Sequence, residues 1–167
     1  MTLNQYKKII VLATLLASFS TNSENLPMQA INPSSTMLEL LDEAKKMMKF
    51  TGNVSMPKLY SMNEKDLQKK YCTSGSTKCD VVTAMYDDGA IIYDEDFDPK
   101  HPVWRSIIFH EMVHHIQYYK KRGGAKDCVG WYQREIEAYF LQAAYLRNNK
   151  SSDQTVIDAA KAIICPP

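Results

Sequence analysis

Apolar positions along the chain change period several times, and each change marks an expected element. Met37, Leu38, Leu40, Leu41, Ala44, Met47 and Met48 recur at the three-and-four spacing of one helix face, after Thr36 and Glu39 in capping-box register and before Gly52. Methionine at that spacing reads as core filling rather than as a cofactor surface. Residues 56–62 read as a short strand, and Asn63 as the N-cap of a short helix through Tyr71. Residues 81–86, then Asp87-Asp88-Gly89, then residues 90–93 read as strand, tight turn and strand, because Asp-Gly between β-branched and aromatic residues suits a hairpin turn with positive φ. Residues 102–122 form one long helix, with Pro102 in the first turn and Gly123-Gly124 past its end. Trp104, Ile107, Ile108, Phe109, Met112, Val113 and Ile116 cover more than one face of it, which places it in the middle of the domain. A further helix is expected over residues 131–147 and a short last one over residues 152–164. Together these elements predict an α+β fold, mainly helical, with a small antiparallel sheet packed on the long helix.

The first residues follow a different pattern. Lys7 and Lys8 precede an apolar stretch at residues 9–19, and small polar residues follow it, which is the order of a secretory signal peptide. The expectation is a signal over residues 1–20, a flexible Ser/Asn/Pro-rich lead-in over 21–35 and one folded domain over 36–167. The chain would then be secreted or periplasmic, with no membrane association after cleavage. The four cysteines, Cys72, Cys79, Cys128 and Cys165, all follow the signal, and an even count in an exported small domain predicts two disulfides. Of the three possible pairings the expected one joins Cys72 to Cys79 and Cys128 to Cys165; a cysteine zinc site lacks its C-x-x-C spacing.

Composition narrows the function classes. With 167 residues, 45% of them hydrophobic and 23% charged, the chain suits one globular domain rather than a disordered one. Its 20 Lys and Arg against 19 Asp and Glu leave a net charge of +1, without the basic surplus that binding phosphate backbones requires. The acidic run at residues 94–98 lacks the spacing of a calcium loop.

Chemistry concentrates in His110-Glu111-Met112-Val113-His114, an H-E-x-x-H motif inside the long apolar helix. Residues four apart on a helix share a face, so both imidazoles can reach one metal ion while Glu111 stands beside it as a base. Histidines and a glutamate in so apolar a segment need partners or a metal to offset their burial. The next helix carries Glu135 and Glu137, and a loop after the long helix can return either one to face the histidines. They are two apart and therefore on different faces, so one of them can be the third ligand. His115 reads as a structural histidine and His101 as part of the helix entrance; Gln117 and Gln142 are candidate partners of ligand histidines.

H-E-x-x-H followed some twenty residues later by E-x-x-A resembles the gluzincin zinc metallopeptidases, in particular minimal single-domain gluzincin-like bacterial families. The resemblance spans about residues 84–142 and rests on His110, Glu111, His114, Glu135 and Ala138. It implies a zincin-like fold and one Zn²⁺ held by His110, His114 and Glu135, with Glu137 as the alternate third ligand. It further implies that Glu111 is the general base for hydrolysis of a peptide or protein substrate. Tyr139, where several such families have an acid or amide, would either donate to the oxyanion or be a core tyrosine. The last strand of the hairpin is similar to the edge strand along which gluzincins bind an extended peptide. The alternative is a catalytically weak or inactive binding protein that keeps the zinc site.

Overall fold

The computed structural model describes residues 28–71, 82–120 and 127–163. Along them run β1 (Gln29–Ile31), α1 (Ser35–Met47), β2 (Lys58–Met62), α2 (Glu64–Tyr71), β3 (Ala84–Asp87), β4 (Ala90–Asp94), α3 (Pro102–Tyr119), α4 (Cys128–Asn148) and α5 (Gln154–Ala162). The expected signal, Cys72, Cys79 and Cys165 fall outside the described residues, and so therefore do the expected disulfide pairings. No helix among the described residues is long and apolar enough to cross a membrane.

Local signals place most element ends. Asn63 Oδ1 accepts from Asp66 N at 3.0 Å and starts α2. The hairpin turn sets Asp88 at φ 40° and Gly89 at φ 83°, the two positive values that a two-residue turn between strands requires. Pro102 opens α3, as expected. Two helices start earlier than expected. Ser34, not Thr36, caps α1, its hydroxyl accepting from Met37 N. Asp127 caps α4 by accepting from Gly130 N at 2.8 Å, so α4 begins three residues earlier than Trp131 and takes Gly130 into its first turn. The segment expected as an unstructured lead-in also contributes β1, paired with β2.

The molecule is a mixed α/β structure, mostly helical, with one small sheet of order β1-β2-β4-β3. That sheet is mixed rather than purely antiparallel, because β2 runs parallel to β4, Leu59 opposite Ile91 and Ser61 opposite Tyr93. The hairpin strands β3 and β4 pair antiparallel, as expected. One consequence corrects the expected edge: β4, the last hairpin strand, is closed on both sides by β2 and β3, and among the described residues the open edge beside α3 belongs to β3. Ile91 and Tyr93 face the main core with α3 while Ile92 faces a second cluster with Met62, Leu67 and Val82. Two covered faces explain the unbroken apolar run of β4.

Helix α3 lies between the sheet and the other helices. Ile107, Ile108, Phe109, Met112, Val113 and Ile116 are almost fully buried, each worth about 1.5–3 kcal/mol by the area it removes from water. Phe109 stacks on Tyr145 of α4 with centroids 4.7 Å apart, and Arg105 Nε donates to the Tyr145 hydroxyl. These contacts fix how α4 faces α3, and that register sets the site.

Candidate metal centre

Three side chains converge between α3 and α4. His110 and His114, one turn apart, bring their Nε2 atoms within 3.0 Å of each other, and Glu135 presents Oε2 at 3.4 Å from His110 Nε2 and Oε1 at 3.2 Å from His114 Nε2. All three are buried or nearly so; His114, with its side chain 13% exposed, is the most open. Glu137, the alternate third ligand, does not reach the histidine Nε2 atoms; it faces Gln117 farther along α3 and accepts from its Nε2 at 3.0 Å. The two glutamates stand on different faces of α4, and the structure brings Glu135 to the histidines.

The outer partners determine what those nitrogens offer. Gln117 Nε2 donates to Arg134 O and to Glu137 Oε2, both of which can only accept, so its carbonyl oxygen must face His114 Nδ1 at 2.8 Å. Ser106 Oγ donates to Val103 O and accepts from Gln142 Nε2, so the carbonyl oxygen of Gln142 must face His110 Nδ1 at 3.1 Å. Both Nδ1 atoms therefore carry hydrogens, so whenever the rings are neutral both Nε2 atoms turn lone pairs toward the Glu135 carboxylate.

Lone pairs and a carboxylate packed this closely repel unless positive charge sits among them. A single proton does not satisfy the group: Glu135 Oε2 is buried without a hydrogen-bond partner. A tetrahedral divalent ion about 2.0–2.1 Å from each donor separates its donors by roughly 3.3 Å; the two Nε2 atoms lie 3.0 Å apart, and Glu135 offers Oε1 at 3.2 Å from His114 and its other oxygen, Oε2, at 3.4 Å from His110. The group can hold a metal ion, with its ligand atoms all within 4.8 Å of one another. Titration follows the same logic. Burial pulls the His114 imidazole down, but the neighbouring Glu135 carboxylate outweighs it and pushes His114 up to about 9. Burial pushes Glu135 up, yet His114 and His110 hold its carboxyl well below the usual carboxylate range.

Glu111 stands next to this group, 3% exposed, and its Oε2 accepts from Tyr86 N on β3 at 2.8 Å. Burial pushes its carboxyl up while His110 and His114 pull it down, and the balance lies above the usual carboxylate range. The contact with Tyr86 is possible because the hairpin pairs residues 83 and 94 inward, Asp94 N to Thr83 O, which by alternation turns Ala84 and Tyr86 toward the open edge.

Tyr139, one turn after Glu135, sets its ring edge-to-face on His110 with centroids 4.5 Å apart. Burial, with Glu135 and Glu111 nearby, keeps its phenol protonated far above neutral pH. Together with Gln142 it also walls a cavity of about 180 Å³ that runs between α3, α4 and α5 past Val103 and Ile107.

His115 does not join the group. Its Nε2 donates to Ser55 O at 2.8 Å, and Nδ1 faces the Tyr86 hydroxyl at 3.3 Å, which makes it the structural histidine expected. His101 is the N-cap residue of α3, also as expected. Gln117 and Gln142 emerge as the immediate partners of the two histidines; spacing alone offered them only as candidates, since the partner of a ligand histidine depends on the register of α4 against α3. No protein-family description, curated protein or solved structure matches the chain.

Proposed function

We propose that the chain is a zinc-dependent peptide hydrolase of gluzincin-like type, with His110, His114 and Glu135 as ligands and Glu111 as general base. The observation that carries this reading is the convergence of two histidine lone pairs and a carboxylate beside a glutamate held on an open strand edge. Three protein ligands leave a fourth position free, the arrangement of catalytic rather than structural zinc sites. Zinc, when bound, supplies the Lewis acidity that polarises a carbonyl and lowers the pKa of water to about 7.

The chain's own residues perform the rest. Tyr86 N–H fixes Oε2 of Glu111, leaving Oε1 to take a proton from the attacking water. As the C–N bond breaks, Glu111 passes that proton to the departing amine, so one water is consumed and an acid and an amine are released. Burial raises the Glu111 carboxyl, which makes its carboxylate a better proton acceptor than an exposed one. Along β3, the carbonyl of Tyr86 and the backbone groups of Ala84 face outward and suit pairing with an extended peptide. Tyr139 is positioned against His110 and acts either on the developing oxyanion or as packing for the ligand ring.

Burial of Glu111 at 3% exposure favours one second reading, a binding protein that keeps the metal without hydrolysis. Glu111→Gln separates the two. The expected result is that the variant retains stoichiometric zinc but loses hydrolysis of a mixed peptide pool, whereas His110→Ala loses both. Wild-type protein that carries zinc and cleaves nothing in the pool supports the second reading, and wild-type protein without stoichiometric zinc sinks both.

A further inference from the structure

The two glutamines behind the histidines look equivalent, and their outer partners make them opposites. Gln142 Nε2 donates to a hydroxyl, Ser106 Oγ, which can reverse its role; it donates to Val103 O at 2.7 Å now and can instead donate inward. Gln117 Nε2 donates to Arg134 O and Glu137 Oε2, each at 3.0 Å, and a carbonyl and a carboxylate cannot reverse. Hydrogen bonding of His114 thus requires a side chain at 117 that accepts on one side and donates on the other.

We propose that Glu137 is a positioning residue for the metal centre, acting on His114 through Gln117, and that this makes the site dependent on a neutral amide at 117 while 142 tolerates a carboxylate. The inference rests on the proposed metal site and adds to it the reason why the second glutamate of α4, which is not a ligand, faces the motif helix. Carboxylates are common partners of ligand histidines and ordinarily raise the basicity of the ring, so Gln117→Glu and Gln142→Glu would both be expected to tighten metal binding if only the histidine mattered. With Glu137 and Arg134 O behind residue 117, the introduced carboxylate instead faces two acceptors and is driven off His114. At 142 the Ser106 hydroxyl turns and donates to it.

The test is zinc affinity of the full chain, read by competition with a chromophoric chelator, with no reliance on peptidase activity. Gln117→Glu should weaken zinc binding on the order of 10–100-fold, the usual effect of losing such a partner, while Gln142→Glu should bind as tightly as wild type or tighter. Adding Glu137→Gln to Gln117→Glu returns a donor to the pair and should recover most of the loss, a rescue that generic damage to the fold would not show. Far-UV circular dichroism of each metal-free variant checks folding, and Gln117→Met provides a second variant that lacks the acceptor without adding charge. Equal affinities for the two Gln→Glu variants, or failure of Glu137→Gln to rescue, overturn the inference while leaving the metal site intact. Wild-type protein that binds no zinc overturns both.

Discussion

At the scale of single residues, adjacent positions in one helix have been given different work by what surrounds them. His114 and His115 are neighbours in sequence, yet His114 turns its Nε2 into the cluster while His115 spans from the Tyr86 hydroxyl to Ser55 O. Burial pulls the His115 imidazole down, in keeping with a neutral ring that donates once and accepts once. His115→Ala should therefore destabilise the fold by about 1–3 kcal/mol, the cost of stranding hydrogen-bonding partners in a packed site, with zinc stoichiometry unchanged. Urea unfolding and metal analysis measure the two effects, and loss of zinc with intact stability would reverse the assignment. The H-E-x-x-H spacing made the histidines legible, because i to i+4 on a helix is a local geometry. The choice between Glu135 and Glu137 was not legible from spacing alone, since either face of α4 could have turned inward; the E-x-x-A resemblance had favoured Glu135, and the burial of Ala138, Tyr139, Gln142 and Leu146, with Tyr139 and Gln142 against His110, brings that face toward α3.

Among the elements, the hairpin supplies the backbone contact that holds Glu111. The gluzincin resemblance put β4 at the edge, and its pairing with β2, which joins segments about thirty residues apart, is one that no local pattern reports. A signal was present all the same: Ala90-Ile91-Ile92-Tyr93 lacks polar alternation, which marks a strand covered on both faces and flanked on both sides. With β3 at the edge, its outward N–H at Tyr86 serves Glu111 rather than the sheet, and this makes the position tolerant of proline, whose missing N–H would not break the β3–β4 ladder. Tyr86→Pro should keep zinc and lower kcat at least about tenfold relative to Tyr86→Ala, a part of the roughly 10²–10⁴ that a well-placed base supplies. Both variants lose the phenol, so its contact with His115 cancels in the comparison. Equal kcat values for the pair would show that the strand N–H does not position the base.

For the whole molecule, the proposed metal centre joins two helices whose mutual packing also builds the core: α3 supplies His110 and His114, and α4 supplies Glu135. A ligand set divided in this way exists only in the folded chain, so zinc should stabilise the fold by about 2.7 kcal/mol at a hundred times its dissociation constant. Without metal, the same residues are held by the pairing of protonated His114 with Glu135, and this gives stability a distinct pH dependence. His114 is raised from 6.5 to about 9 in the fold, so its contribution is full below 6.5 and is lost as pH rises through 9. Glu135 is lowered, so its contribution is present above its ordinary value of 4.5 and is lost as pH falls below it. Chelator-treated protein should then show a urea midpoint that declines between pH 6.5 and 9, while zinc-loaded protein should not, because metal takes the lone pair that the proton would leave. Zinc protection should correspondingly grow across that interval and vanish in His110→Ala. Parallel pH profiles with and without zinc would mean that the cation does not occupy the place between His114 and Glu135 that the proton holds in its absence.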